Sequence, residues 1–107
     1  MSLWEDFIDN LRDDAGKLAK DEFKDLVKSA KGDANEFIRR QGEKLELYLT
    51  QLAEGKITKE QFEGYVCDIK DLTEMHALKM SVAAKVRAQR LVSGITDLII
   101  DGLLDLI

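Results

Sequence analysis

Proline is absent from this 107-residue chain, and cysteine and histidine occur once each, as Cys67 and His76. A single cysteine excludes an internal disulfide, which fits a reducing compartment, so we expect a cytoplasmic protein. No apolar run reaches the ~18–20 residues of a membrane-spanning helix. Acidic residues stand where a signal peptide would be basic, so we expect none. The missing proline and the abundance of Ala, Leu, Lys, Glu and Asp favour helices.

Basic residues are fewer than acidic ones, 16 against 21, which gives a net charge of −5. General nucleic-acid binding neutralises phosphates with Lys and Arg, so this balance speaks against it. The basic cluster contains no interleaved aromatic residue for base stacking. Its members are Lys79, Lys85, Arg87 and Arg90. We therefore predict no nucleic-acid partner and interpret the cluster as a charged helix face or as partners for acids elsewhere.

Residues with catalytic or metal-binding chemistry are scarce. Cys67 and His76 lie nine residues apart, so on one helix they point in opposite directions and cannot share a metal or a proton. Thr73 stands three residues before His76, where a di-iron bundle needs glutamate. The carboxylates follow solvated helix faces, and no phosphate loop, serine-nucleophile motif or zinc spacing occurs. We predict a protein that is not an enzyme and has no catalytic residue, metal site or cofactor.

The stretch 53–66, AEGKITKEQFEGYV, could suggest a calcium-binding EF-hand loop. With Gly55 at the sixth loop position, ligands would be needed at Leu52 and Gln61, and neither residue carries a carboxylate. Thr58 and Gln61 instead have the spacing of a capping box, which begins a helix. We predict that Gly55 ends one helix and that Thr58 begins the next.

Apolar periodicity predicts an all-α fold with two N-terminal helices and a long third helix in one domain, residues 1–107. Ser2-x-x-Glu5 and Asp33 are predicted N-terminal caps. A helix unbroken from Thr58 would be ~72 Å long, too long for a compact domain of this size. We therefore expect either a break, near Ser93-Gly94, or an elongated or bundle-like molecule completed by self-association. The predicted helices span about 3–31, 33–54, 58–93 and 95–106.

The tail, residues 95–107, is the most apolar part of the chain, with eight Leu or Ile in thirteen residues. From Met75 onward, apolar residues also spread around the helix, which is typical of burial on several sides. A bare monomer would not leave this surface in water, so we predict a homo-oligomer formed through the third helix and the tail. The candidate interface residues are Met75, Leu78, Val82, Val86, Ile95, Leu98, Ile99, Leu103 and Leu106.

Two alternatives use the tail differently. In the first, a small acidic chaperone or adaptor docks a protein partner through its C-terminal amphipathic helix. In the second, a peripheral membrane protein inserts Trp4, Phe7 and Ile8 at one end and the tail at the other. Membrane-surface helices normally carry Lys or Arg on the polar face, whereas this tail carries only aspartates, so the membrane alternative is the least favoured.

Overall fold

The described part of the chain, residues 3–11 and 16–103 of a computed structural model, folds into five α-helices and one π-helical segment. Within these residues there is no strand, so the all-α prediction is confirmed, whereas the prediction of three main helices is wrong. The helices are α1 (Leu3–Asp9), α2 (Gly16–Lys31), α3 (Glu36–Ala53), α4 (Lys59–Ala77) and α5 (Val82–Gly94). The π-helical segment, Ile95–Leu103, continues α5 without a break.

The predicted first helix, residues 3–31, is two helices, because α1 ends at Asp9 and packs mainly against α3. This packing places Trp4 and Ile8 in the core, and the Trp4 indole Nε1 donates a hydrogen bond to Glu46 Oε2 at 3.2 Å. If residues 3–31 formed one straight helix, Trp4 and Ile8 would lie away from α3. The predicted cap at Ser2 lies outside the described residues.

The start of α3 also differs from the prediction. Asn35, not Asp33, is the N-cap, since its side chain accepts a hydrogen bond from the Ile38 backbone N–H at 3.1 Å. The Asp33 carboxylate accepts instead from the Asn35 backbone N–H at 2.8 Å and from Arg87 Nε at 2.9 Å. The charge-assisted bond to Arg87 ties the α2–α3 turn to α5, a long-range contact that local capping rules do not anticipate.

Close approach of α2 and α3 depends on Gly42. A Cβ atom added at Gly42 would lie 2.5 Å from the Lys31 backbone N and 2.7 Å from the Ala30 carbonyl carbon. Only glycine fits between two backbones at that separation. Four side chains of these two helices belong to the core and are fully or almost fully buried: Phe23 and Val27 from α2, and Leu45 and Leu49 from α3.

The turn between α3 and α4 is formed as predicted. Gly55 has a φ of 75°, in the left-handed region that favours glycine. The Thr58 hydroxyl accepts from the Gln61 backbone N–H at 3.1 Å, and the Gln61 side chain accepts from the Thr58 N–H at 2.9 Å. The capping box at Thr58 and Gln61 is therefore confirmed.

The predicted long third helix breaks between Ala77 and Val82, not at Ser93-Gly94. Ser81 caps α5, and its side chain accepts from the Ala84 backbone N–H at 3.4 Å. Gly94 serves packing instead, because a Cβ there would lie 2.6 Å from Leu26 Cδ1. The molecule measures 38 × 26 × 25 Å, with a radius of gyration of 13.2 Å, so the elongated form is not observed.

The π-helical segment returns to the protein's own core. Ile95 and Ile99 have 0% of their surface exposed, and the segment contacts α2, α4 and α5. Together with residues from all five α-helices, they form one continuous hydrophobic cluster. The chain thus closes its core with its own residues, and the apolar tail supplies part of that core.

Candidate protein-interaction surface

Large apolar side chains remain exposed at the corner where α4 meets α5. We call these residues the corner patch: Leu72, Met75, Leu78, Val82 and Val86. The most exposed are Leu78, at 78%, and Val82, at 81%, although both are residue types that folded proteins usually bury. Single exposed apolar residues are ordinary, but five within a fifteen-residue stretch form an unusual group.

The helix α5 is apolar on two sides, and the fold buries one of them. Its buried face consists of Ala84, Ala88 and Leu91, spaced as one stripe of a helix. At 100° per residue, Val82 and Val86 lie one turn apart on the opposite face. The two small alanines let α5 lie close to its neighbours, while the two valines point away from them. The predicted spread of apolar residues around this helix therefore has a physical origin, but only one face is covered.

A groove of about 520 Å³ lies beside the corner patch, between the end of α4 and the helix α5. Ala77, Leu78 and Val92 give it apolar walls, and Glu74 and Lys85 add one charge of each sign. Lys85 is half-buried, and its side chain forms no ion pair or hydrogen bond within the described part of the chain. The Glu74 carboxylate lies 4.0 Å from Lys70 Nζ, in an exposed pair on the same helix.

Charge changes sign along the same corner. Residues 59–74 carry five acids and two bases, whereas residues 75–96 carry four bases and no acid. Of these charged residues, Glu74 stands on the α4 side of the groove and Lys85 on its α5 side. This division persists although the whole chain has a net charge of −5.

The predicted interface residues fall into three groups. Met75, Leu78, Val82 and Val86 are exposed and belong to the corner patch. Ile95 and Ile99 are fully buried inside the chain, and Leu98 is half-buried against the same core, so the intact fold does not present these three as a surface. The Leu103 side chain and Leu106 lie outside the described residues. Leu72 was missed, because its spacing matches the buried stripe of α4 although 41% of its surface is exposed.

The basic cluster of the sequence is divided between two sides of α5. Lys85 lines the groove, whereas Arg87 pairs with Asp33 across the α2–α3 turn. Arg90 lines a separate cleft of about 100 Å³, together with Ser29 and Leu26 of α2. Arg87 thus fits the interpretation that these bases are partners for acids elsewhere.

Two aromatic pairs hold α3 against α4. The rings of Phe37 and His76 stack with centroids 3.7 Å apart, and those of Tyr48 and Tyr65 stack at 4.5 Å. Moving eleven residues along α3 corresponds to moving eleven residues back along α4, so the helices are antiparallel. His76 therefore packs on an aromatic ring, and Cys67 is half-buried elsewhere on α4.

Across residues 3–11 and 16–103, no group of three or more His, Cys, Asp or Glu is placed to hold a metal ion. In the same part of the chain, no helix combines the length and hydropathy required to cross a membrane.

Comparison with known proteins gives no match, either to a protein-family model, to a curated protein or to a solved structure.

Proposed function

We propose that this chain is a non-enzymatic helical interaction module that self-associates through the corner patch. The observation that supports the proposal is a contrast within the chain itself. The fold buries Ile95 and Ile99 of the tail, yet it leaves Leu78 and Val82 almost fully in water. Exposed groups of large apolar residues on soluble proteins mark interaction sites.

The proposed surface is narrower than the one predicted from the sequence. The prediction combined the third helix with the C-terminal segment, because a bare monomer would not leave the apolar tail exposed to water. In the fold, Ile95 and Ile99 are covered by other residues of the same chain. The interface we propose therefore comprises Met75, Leu78, Val82 and Val86 of the predicted set, with Leu72 added.

Charge supports a second copy as the partner. A surface that carries Glu74 on its α4 side and Lys85 on its α5 side is complementary to itself when it is rotated by a half-turn. Opposite potentials across an interface speed association and select the correct partner. A module of this kind would assemble copies of itself without carrying out chemistry.

The test is the molecular mass in solution of the wild type and of Leu78→Glu, measured by sedimentation velocity at micromolar to submillimolar concentrations. We expect the wild type to form dimers or higher assemblies and Leu78→Glu to remain monomeric with an unchanged helical circular dichroism spectrum. The matched control is Leu47→Glu, at an apolar position of α3 that is 51% exposed but far along the sequence from the corner patch. This control should assemble like the wild type. A monomeric wild type, or equal loss of assembly in both variants, would overturn the proposal.

A second candidate function, an adaptor that docks one protein partner, is favoured by the groove beside Leu78. Its volume of about 520 Å³ falls within the size range of ligand-binding pockets in proteins. The adaptor was predicted to use its C-terminal helix, whereas the groove would move the docking site to the α4–α5 corner. A monomeric wild type that binds one purified partner stoichiometrically, with binding lost in Leu78→Glu and kept in Leu47→Glu, would favour this function.

The membrane alternative depended on Trp4, Phe7 and Ile8. The fold buries Trp4 and Ile8, and Phe7 packs half-buried against the same core. No observation among the described residues therefore favours insertion of α1 into a lipid surface.

A further inference from the structure

The walls of the α4–α5 groove carry opposite charges that do not pair with each other. Glu74 stands on the α4 wall and Lys85 on the α5 wall, and no ion pair joins them. Lys85 is half-buried as a residue, and an ammonium group at such a position can pair with a carboxylate within hydrogen-bonding reach. Lys85 has no such carboxylate within the described residues, although its groove is lined by one.

The sequence around the groove follows the same division, although Arg87 and Arg90 line a separate cleft beside α2. All charged residues of α4 from Asp71 to Glu74 are acidic, and all charged residues from Lys79 to Arg90 are basic. Leu78, at the turn between the two regions, is 78% exposed and borders the groove. An apolar residue thus sits at the junction of the two charge regions, next to a groove large enough to hold an apolar side chain.

We propose that two copies of the chain meet at this groove about a two-fold axis, so that Glu74 of each copy faces Lys85 of the other. The inference rests on the proposed self-association and adds its geometry. In a two-fold contact the same surface is used twice, and each residue pair occurs twice. The arrangement brings the α4 side of each copy against the α5 side of the other, and Leu78 of each copy enters the opposite groove.

A head-to-tail contact would have a different consequence. It would join the corner patch of one copy to a different surface of the next, leaving a free corner patch at one end and that other surface free at the opposite end, so that growth would continue unless the rotation closed a ring. The half-turn arrangement instead covers both corner patches and stops at the dimer. The proposal therefore predicts a closed dimer rather than an open series of sizes.

The test uses two charge reversals, Glu74→Lys and Lys85→Glu, each alone and then mixed in equal amounts. Each variant alone places like charges at both symmetric contacts. We expect its dimer dissociation constant to rise about tenfold or more at low salt. In the mixed dimer the introduced lysine faces the introduced glutamate, and the native Glu74 faces the native Lys85. We expect the mixture to recover most of the wild-type affinity, measured by sedimentation velocity and by energy transfer between copies labelled with different dyes.

Mixing the two variants distinguishes effects of the substitutions on the contact between copies from their effects within one chain. Whatever each substitution does inside its own chain is unchanged on mixing, so recovery has to come from the contact between copies. The recovery should also decrease as salt rises, because screening weakens exposed charge pairs. The control is Lys44→Glu, an exposed charge reversal on α3, which should dimerise like the wild type alone and in mixtures.

The outcomes distinguish the two proposals. A wild-type dimer whose charge-reversed variants bind no better when mixed than alone would overturn the two-fold geometry and leave self-association in place. Assemblies that grow beyond the dimer would also overturn the geometry. A monomeric wild type would overturn the proposed function, and this inference with it.

Discussion

Residues 72–86 and residues 95–99 are both rich in large apolar side chains, and the fold treats them in opposite ways. Val82 is 81% exposed, whereas Ile99, seventeen residues later, is 0% exposed. The apolar composition of both regions predicts that they are shielded from water, but it does not indicate which residues shield them. The difference shows that one segment completes the chain's own core, whereas the other lies outside that core, where we propose a contact with a second copy.

The short turn between α4 and α5 produces this difference. It reverses the chain after Ala77, so that α5 packs back along α4 and carries the following segment to α2. The alanine face of α5 enters the core, which leaves Val82 and Val86 outside. Had the helix continued straight, Ile95 and Ile99 would have extended away from the core and been exposed as well.

The largest effect is expected from Ile99→Asp. Loss of the buried side chain costs about 1.5–3 kcal/mol, and an unpaired buried carboxylate costs several kcal/mol more. We expect the free energy of unfolding to fall by more than about 4 kcal/mol, which would unfold many domains of this size. Chemical denaturation followed by circular dichroism measures it. Val82→Asp is the matched variant outside the core, and it should change the stability of the monomer by less than about 0.5 kcal/mol. Equal stability of the two variants would contradict the assignment of Ile99 to the core.

Substituting a buried and an exposed glycine compares core and surface in the same way, with a smaller expected change in stability. Gly42→Ala would place a Cβ atom 2.5 Å from the Lys31 backbone N, so α2 and α3 would have to move apart. Overpacking of this kind costs about 1–3 kcal/mol, and we expect the midpoint of thermal unfolding to fall accordingly.

Gly64 provides the control, because it lies within α4 and a Cβ there would meet nothing within 4 Å. Gly64→Ala should raise stability by about 0.5–1 kcal/mol through helix propensity alone. If both substitutions changed stability in the same direction, the close approach at Gly42 would not be the cause.

The smallest of these effects concerns Gln41, a polar residue on the buried side of α3. Its Oε1 atom is buried and has no hydrogen-bond partner among the described residues. An unsatisfied buried acceptor costs about 1–3 kcal/mol, so Gln41→Met, which keeps the shape, should stabilise the fold by about 1 kcal/mol. Gln51→Met, at a half-buried position of the same helix, should change stability little. A loss of stability in Gln41→Met would mean that the amide oxygen has a partner in solution.

Local sequence signals predicted several of these features correctly. The turn at Gly55 and the capping box of Thr58 and Gln61 each depend on one or two residues with strong conformational preferences. Met75, Leu78, Val82 and Val86, which the fold leaves exposed, were also named from the spread of apolar residues around the helix, and their role as an interface stays a prediction. Features that depend on residues close together in the sequence could therefore be predicted from it.

Features that depend on residues distant in the sequence were not predicted. The break before α5 has no glycine or proline, and Ser81 is followed three residues later by Ala84 rather than by the Glu or Gln of a capping box. Gly94 resembles a break but accommodates Leu26, which is sixty-eight residues away in sequence. Ile95 and Ile99 were assigned to an interface because periodicity identifies an apolar face, but not the element that covers it.

The most direct measurement is hydroxyl-radical footprinting of the wild type at low and high protein concentration, because it reports the solvent exposure of individual side chains. At low concentration we expect Met75, Leu78 and Val82 to be modified and Ile95 and Ile99 to be protected. At high concentration the corner patch should become protected, while Leu47 should remain modified. Modification of Ile95 or Ile99 in the dilute folded protein, or a corner patch that stays equally reactive at every concentration, would contradict the division between core and interface.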